Sequence, residues 1–167
     1  QASKGSVDPN DKTGLPLGYG IDRFIEPQRT IEYKIRFQNT GNDTAFKVII
    51  VDTLSEWMDL RTLNILGASH EFSFSLVDRV LSFRFDPIYL PYRSIDDEGS
   101  NGHVIYSIVP KIETPLKTVI HNDADIFFDF NLPIRTNTTT HTLATDFIIV
   151  SVEPADPDNT TVNIYPN

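Results

Sequence analysis

The chain has 167 residues, with 14 basic and 23 acidic side chains, a net charge of −9 and no cysteine. The acidic balance and the absence of a Lys/Arg cluster argue against nucleic-acid binding, and the lack of cysteine excludes disulfides, thiolate metal sites and thiol nucleophiles. Ile, Val and Thr make up more than a quarter of the residues, which favours β-strands and excludes a helical bundle. No apolar run reaches the roughly 18 residues of a membrane helix, so the chain is not predicted to span a membrane.

Alternation of apolar and polar residues predicts the strands in chain order. Residues 1–20 are rich in Gly, Pro, Ser and Asp and are interpreted as an irregular entry segment. Residues 30–38 alternate strictly, which predicts a strand with one solvated face. The mixed spacing over 54–63 is compatible with a short helical turn. Further strands are predicted over 45–51, 64–68, 72–76, 80–85, 103–110, 119–120, 124–130, 134–143 and 147–152.

About nine or ten short strands, separated by turn signals, predict an all-β fold. The specific prediction is an antiparallel, Ig-like β-sandwich with Greek-key connections. The sandwich is predicted to span 21–152, followed by a Pro/Asp/Thr linker over 153–161. Residues 162–167 begin a new apolar segment and are interpreted as the first strand of a further, truncated domain.

No motif in the sequence predicts catalysis. The four histidines (His70, His103, His121 and His141) lack the spacing of a helical zinc site, and no G-x-S-x-G motif is present. Ser69 and His70 are neighbours and are predicted to point to opposite faces of a strand. Asp123, Asp125 and Asp129 are predicted to lie on one face of a strand, with Asp123 and Asp125 about 7 Å apart. We interpret this face as a solvated strand face. The chain is therefore predicted not to be an enzyme.

Two acidic loops are candidate cation sites, and Ca²⁺ is the one cofactor that the sequence suggests. Hard oxygen ligands in Pro-bent or polar loops suit Ca²⁺, although the full EF-hand pattern is missing. The candidate ligands are Asp8, Asn10 and Asp11 in the first loop, and Asp96, Asp97 and Glu98 in the second. The alternative interpretation of each loop is a solvated surface segment.

A covalent cross-link between a lysine and an Asn or Asp side chain needs a buried lysine, a facing amide or carboxylate, and an acid that transfers the proton. Lys34 lies between the inward-facing Tyr33 and Ile35 and is predicted to point to solvent. The orientation of Lys47 is ambiguous. On these two lysines a cross-link is not predicted.

Several segments together resemble a known family. They are SVDPNDK at 6–12, YKIRFQNTGNDTA at 33–45, VDTL at 51–54, ILGASH at 65–70 and NDADIFFDFN at 122–131. This pattern resembles the "conserved repeat" (DUF11-like) Ig-type domain near the C-terminus of large secreted Bacteroidetes proteins, over roughly residues 6–145. The resemblance implies a spacer or adhesion module without established catalytic residues.

The C-terminal segment resembles the opening of a type A sorting domain of the type IX secretion system. Its motif residues are Tyr165, Pro166 and Asn167, which follow the linker. The resemblance implies export across the outer membrane to the cell surface or medium, with the type IX machinery as a partner. It also draws attention to Thr44 and Thr53, which are similar to the Asp-Ser/Thr-apolar acceptors of O-glycosylation in exported Bacteroidetes proteins.

Our first functional hypothesis is a non-enzymatic, extracellular stalk, spacer or adhesion module of a type IX-secreted surface protein. The alternatives are a carbohydrate- or ligand-binding module, using aromatics such as Trp57, Tyr89 and Tyr92, and a subunit of a surface filament. The partners expected are surface glycans or neighbouring protein chains.

Overall fold

The computed structural model describes residues 8–152 and 162–166. Within these ranges the chain forms fourteen strands and no helix. The strands are β1 (Asp11–Leu15), β2 (Phe24–Ile25), β3 (Ile31–Gln38), β4 (Val48–Thr53), β5 (Met58–Ala68), β6 (Ser73–Val77), β7 (Val80–Phe85), β8 (Asn101–Pro110), β9 (Val119–Asn122), β10 (Asp125–Phe128), β11 (Ile134–Arg135), β12 (Thr139–Leu143), β13 (Ile148–Val152) and β14 (Val162–Pro166).

The strands assemble into two main sheets and two small ones. One main sheet has the order β1-β3-β8-β5 and the other the order β11-β10-β4-β7-β6. A three-stranded sheet has the order β2-β12-β9, and β13 pairs with β14. The pairs are antiparallel except for β2 with β12, which is parallel. The predicted all-β, Ig-like sandwich is confirmed, and the non-sequential neighbours are the crossovers that Greek-key connections produce.

The core lies between the sheets and is built by strict alternation. In β8, for example, Val104, Tyr106 and Ile108 are fully buried, while the residues between them are partly exposed. The same alternation in β3 buries Ile31, Tyr33, Ile35 and Phe37. Side chains from the facing strands fill the space between the sheets, as expected for a sandwich.

Three sequence predictions differ from the structure. The single strand predicted over 134–143 is divided into β11 and β12. Residues 11–15, placed in the irregular entry segment, form β1 and pair with β3 from Asp11–Arg36 to Leu15–Glu32. The segment 54–63 is not helical; most of it belongs to β5. Register shifts in the pairing of β5 with β8 interrupt the alternation of this strand, so its sequence lacks the period of two that identifies a strand.

The C-terminal strand β14 pairs with β13 in register from Ile148–Pro166 to Val152–Val162. The linker predicted over 153–161 and the motif residue Asn167 lie outside the described residues. Whether 162–167 opens a separate sorting domain stays a prediction.

Candidate functional site

A buried group of four polar side chains lies between the sheets. We call Lys12, Asp52, Tyr106 and Asn122 the buried lysine cluster. Their exposed fractions are 1%, 0%, 0% and 4%, respectively. Lys12 lies in β1 and Tyr106 in β8 of one main sheet, Asp52 in β4 of the other, and Asn122 at the end of β9 in the three-stranded sheet. The cluster therefore connects three sheets.

One hydroxyl group and one carboxylate hold the cluster together. The Lys12 ammonium forms an ion pair with Asp52 Oδ2 and donates a hydrogen bond to Tyr106 Oη at 3.1 Å. Tyr106 in turn donates to Asp52 Oδ2 at 2.6 Å. Asn122 Nδ2 donates to the same Tyr106 oxygen at 3.0 Å. The amine, the carboxylate and the amide thus converge on a single phenol group.

Burial and charge change the acidity of these groups. Burial lowers the pKa of Lys12, because an ammonium loses its hydration between the sheets, and the charge of Asp52 opposes that shift. Burial, and then the negative charge of Asp52, raise the pKa of Tyr106 and of Tyr33, whose ring centroid lies 4.7 Å from Lys12 Nζ. Both phenols are therefore neutral, and Tyr106 donates its proton to Asp52. Burial makes the uncharged form of the Lys12 amine more favourable than it is for a lysine in water.

Three buried polar atoms in the cluster or beside it have no hydrogen-bond partner among the described residues. These atoms are Asp52 Oδ1, Asn122 Oδ1 and the hydroxyl of the adjacent Tyr33. An unsatisfied buried polar group costs about 1–3 kcal/mol, and native folds contain few of them. Three such atoms around one lysine mark the cluster as the candidate functional site.

The sequence signal for this site is a polar residue at a position that the alternation of its strand places in the core. In β4, Val48 and Ile50 are buried, and the same phase places Asp52 inside. From Ile120, the same phase places Asn122 inside and Ala124 beyond it. The cross-link prediction weighed Lys34, which is partly exposed, and Lys47, whose ammonium lies over the Phe130 ring. It overlooked Lys12, because a short strand of sequence DKTGL has no apolar alternation.

The first predicted cation loop makes contacts within the protein. Asp8 Oδ1 accepts the Asn10 backbone N–H at 3.0 Å, and Asn10 Oδ1 accepts the Gln38 N–H at 3.1 Å. The Asp11 carboxylate forms a two-point ion pair with Arg36. These bonds occupy one oxygen of Asp8, the side-chain oxygen of Asn10 and both carboxylate oxygens of Asp11.

The second predicted cation loop is also joined to its surroundings. Asp96 Oδ1 accepts the Gly99 N–H at 2.8 Å, and Asp97 Oδ1 accepts bonds from Gln38 and Arg93. Glu98 is exposed. Over the described part of the chain, no group of three or more His, Cys, Asp or Glu side chains has an arrangement that could hold a metal ion. Calcium binding stays a prediction.

Ser69 and His70 do not point apart as predicted. They lie in a bend after β5, where Ser69 Oγ is 2.7 Å from His70 Nδ1. Ser69 Oγ also accepts the His103 backbone N–H at 2.8 Å, so it links this bend to the neighbouring strand. Of the other histidines, His121 contacts the Thr140 hydroxyl on the neighbouring strand β12.

The three aspartates of the 123–129 segment have separate partners. Asp123 accepts the Thr138 hydroxyl at 3.1 Å. Asp125 pairs with Arg135, whose hydrogen bonds lower the pKa of that carboxyl. Asp129 Oδ1 accepts two backbone N–H groups, at 2.8 and 2.9 Å. The partners anchor turns and strand ends.

The other predicted site residues are dispersed. Thr53 is exposed at the end of β4 and Thr44 is partly buried. Trp57 packs against the core, whereas the exposed Tyr89 contacts the exposed Phe46, with ring centroids 5.7 Å apart. Tyr165 and Pro166 lie in β14.

Several solved structures share the fold of this chain. The chain is similar to the N-terminal domain of the Streptococcus gordonii adhesin Sgo0707, with a TM-score of 0.60 and 15% identity, covering 82% of this chain and 33% of that one. It is also similar to the Streptococcus pneumoniae pilus protein RrgB (TM-score 0.52, 12% identity, 76% and 24% coverage). A third similar structure contains two domains of the major pilin SpaD of Corynebacterium diphtheriae (TM-score 0.51, 16% identity, 78% and 51% coverage). The shared property is the fold, and the chain spans between about a quarter and half of these proteins.

The family is established by the sequence. The chain belongs to the family DUF7619, a domain of unknown function, whose model matches residues 8–142. No curated protein matches the chain. The resemblance to the DUF11-like repeat and to a type IX sorting domain stays a prediction. Among the described residues, no helix is long and apolar enough to cross a membrane.

Proposed function

We propose that this chain is a non-enzymatic, extracellular β-sandwich module that acts as a stalk, spacer or adhesion module of a larger cell-surface protein. The observation that carries the proposal is the fold, which is similar over 82% of the chain to a domain of a streptococcal adhesin. The similar pilus proteins are also surface structures by name. The buried lysine cluster supports a mechanical role, because it ties the edge strand β1 to strands of two other sheets.

Surface labelling of the source cells tests this proposal. An antibody raised against residues 8–152 is expected to label intact cells and to lose its target after brief proteolysis of those cells. An antibody against a periplasmic protein serves as the control for cell integrity. Labelling only after the outer membrane is permeabilised would contradict the surface location.

The type IX route is the finer part of the proposal. It rests on the resemblance of residues 162–167 to the start of a sorting domain. Inactivating the type IX translocon in the source organism is expected to abolish surface labelling and to retain the parent protein inside the cell. Unchanged labelling would contradict this route and leave the surface location intact.

A ligand-binding module is the second candidate, supported by exposed aromatic side chains. Phe46, Tyr89 and Phe130 are 54%, 63% and 96% exposed, and exposed aromatic groups mark binding surfaces. A glycan array probed with the purified chain is expected to show a signal that the double variant Phe46→Ala/Tyr89→Ala loses. Equal signals for both proteins would contradict a role of these rings.

Calcium binding and filament formation are the remaining proposals. For Ca²⁺, a ligand at 100 times its dissociation constant adds about 2.7 kcal/mol to the stability of a folded state, so millimolar Ca²⁺ is expected to raise the melting temperature relative to excess chelator.

For a filament, the edge strand β6 exposes Phe74 and Val77, and edge strands can pair with other chains. Light scattering of the purified chain across a concentration series tests self-association.

A further inference from the structure

We propose that Lys12 and Asn122 are joined by an intramolecular isopeptide bond between Lys12 Nζ and Asn122 Cγ, with Asp52 transferring the protons. This inference rests on the buried lysine cluster alone and goes beyond the stalk or adhesion role. The bond would covalently connect β1 to β9, which belong to different sheets.

The reacting groups are held close together by the fold. Lys12 Nζ and Asn122 Nδ2 lie 3.1 and 3.0 Å from the same Tyr106 oxygen, so the two nitrogens are at most about 6.1 Å apart. Both side chains are almost fully buried. Because the strands fix both backbones, a rotation of the flexible lysine side chain is the movement that brings Nζ to the amide carbon. Such preorganisation replaces a bimolecular encounter and lowers the barrier.

The environment favours the nucleophilic form of the amine. A lysine attacks as a neutral amine, so its ammonium must first lose a proton. Asp52 Oδ2 contacts the ammonium directly and is the base that receives this proton. Burial disfavours the separated charges and lowers the pKa of Lys12. The transfer of this proton to Asp52 leaves a neutral amine that can attack.

Asn122 rather than Asp52 is assigned as the electrophile, because the reaction also needs a buried acid that transfers protons. Asp52 is the only acidic residue that is buried among the described residues. If the carboxyl of Asp52 were consumed in the bond, no buried acid would remain to transfer protons. Asn122 supplies an amide carbon and leaves Asp52 as the catalyst.

The reaction balances without an oxidant or another reagent. Asp52 takes one proton from the Lys12 ammonium, and the neutral Nζ attacks Asn122 Cγ. The resulting Nζ–Cγ bond forms as Asp52 protonates the carbonyl oxygen, and a tetrahedral intermediate results. Its collapse breaks the Cγ–Nδ2 bond. A proton from Nζ passes through Asp52 to Nδ2, the hydroxyl proton returns to Asp52 as the Cγ carbonyl re-forms, and ammonia leaves and carries that last proton away as ammonium.

The unpartnered atoms fit this sequence of steps. Asp52 Oδ1 and Asn122 Oδ1 are both buried without a partner among the described residues. A proton on Asp52 would give the Asn122 carbonyl oxygen the donor that it lacks. These two oxygens, which an inert ion pair leaves without partners, belong to the two groups that the reaction uses beside the lysine.

Intact mass under denaturing conditions is the first test. The purified wild-type chain is expected to be lighter than its sequence by one ammonia molecule. An N-terminal glutamine or an asparagine succinimide also loses ammonia, so the position must be mapped. Trypsin should fail to cleave after Lys12 and should release a branched peptide that joins residues 5–23 to residues 118–135.

Three variants each remove one of the groups that the reaction needs, and a fourth variant is the control. Lys12→Arg keeps the positive charge beside Asp52 without the nucleophilic amine, and Asn122→Ala removes the electrophile. Asp52→Asn removes the proton-transfer group. All three are expected to keep the full sequence mass at this site, whereas the control Lys47→Arg should still yield the branched peptide.

The wild-type result does not depend on whether the variants fold. A folded wild-type chain with its full sequence mass and a free Lys12 would overturn the proposal. Loss of water with a branched peptide joining Lys12 to Asp52 would also overturn it, because the electrophile would then be the carboxylate. Surface labelling of the source cells would be unaffected by either result, so failure of the bond and failure of the surface role can be told apart.

Discussion

At the scale of single residues, the buried lysine cluster places two charged groups, Lys12 and Asp52, inside the core. An ion pair taken out of water costs several kcal/mol per ion before its mutual attraction is counted. In the unreacted chain, Lys12 and Asp52 offset that cost through their contact and through the hydroxyl of Tyr106. Removing one partner should therefore be more harmful than removing both.

Two variants that both lack the Lys12 amine test this balance. Lys12→Met leaves the Asp52 carboxylate buried without a counter-ion, whereas Lys12→Met/Asp52→Leu replaces the pair by apolar groups. We expect the double variant to be more stable than the single variant by about 3 kcal/mol. Urea unfolding at pH 7 measures the difference. A double variant no more stable than Lys12→Met would show that the carboxylate is not the source of the cost.

His141 predicts a pH dependence with a definite sign. This residue is 1% exposed, and its Nε2 lies 2.8 Å from the Pro16 carbonyl oxygen, to which the neutral ring donates. Burial lowers the pKa of His141 below 6.5, and the Pro16 carbonyl opposes the shift. The unfolded chain therefore binds a proton before the folded chain does, so stability is lost as the pH falls below about 6.5.

The variant His141→Gln keeps an amide donor for the Pro16 carbonyl and removes the titration. We expect the free energy of unfolding to fall less steeply from pH 6.5 to pH 5 in this variant than in the wild type. Denaturant unfolding at a series of pH values measures both slopes. The exposed histidines and carboxylates are common to both proteins, so parallel slopes would contradict a contribution from His141.

The residue scale is also where sequence reasoning was weakest. Asp52 and Asn122 continue buried faces that the alternation of their strands defines, so their burial could have been predicted. Lys12 could not, because its inward orientation follows from the pairing of β1 with β3 rather than from any apolar pattern. That Tyr106 joins all three depends on how the sheets pack, which no local pattern records.

At the scale of strands, β1 is an edge strand whose outer side is closed by a side chain. The Lys12 backbone N–H donates to Asn137 Oδ1, and Asn137 Nδ2 donates to the Lys12 carbonyl oxygen, both at 2.9 Å. The amide thus occupies the place of a further strand at this position. It protects the edge from pairing with other chains and fixes the strand that carries Lys12.

Asn137→Ala tests this closure. The variant leaves two backbone groups of β1 without their partners, so we expect a loss of about 1–2 kcal/mol in the free energy of unfolding. Hydrogen exchange of the Lys12 amide should accelerate at the same time. The control Asn131→Ala changes an exposed asparagine that lies outside β1, in the bend after β10. Equal stability of the two variants would show that the Asn137 bridge contributes nothing.

The strands with regular alternation were predicted well and the irregular ones were not. β3, β7 and β8 follow a period of two and were found near their observed bounds. β5 was missed over its first half because its register shifts against β8 break the alternation. β1 was missed because its buried positions hold Lys12 and Gly14, neither of which signals a core.

At the scale of the whole molecule, the composition and the number of short strands were sufficient for the architecture. The β-branched content and the turn spacing exclude other fold classes, whereas the order of strands in the sheets depends on non-local pairing. The cluster adds a connection that the topology alone lacks, because Lys12, Asp52 and Asn122 come from three different sheets. A module that resists extension would benefit most from such a connection.

Single-molecule extension of the chain, pulled from both ends, tests this account most directly. A bond between Lys12 and Asn122 removes about 110 residues from the extensible length, so unfolding of residues 8–152 should lengthen the wild type by roughly 12 nm at ~3.5 Å per residue. The Lys12→Arg variant, which cannot form the bond, should lengthen by roughly 50 nm on the same scale. A wild-type chain that lengthens as far as the variant would contradict the covalent connection between the sheets.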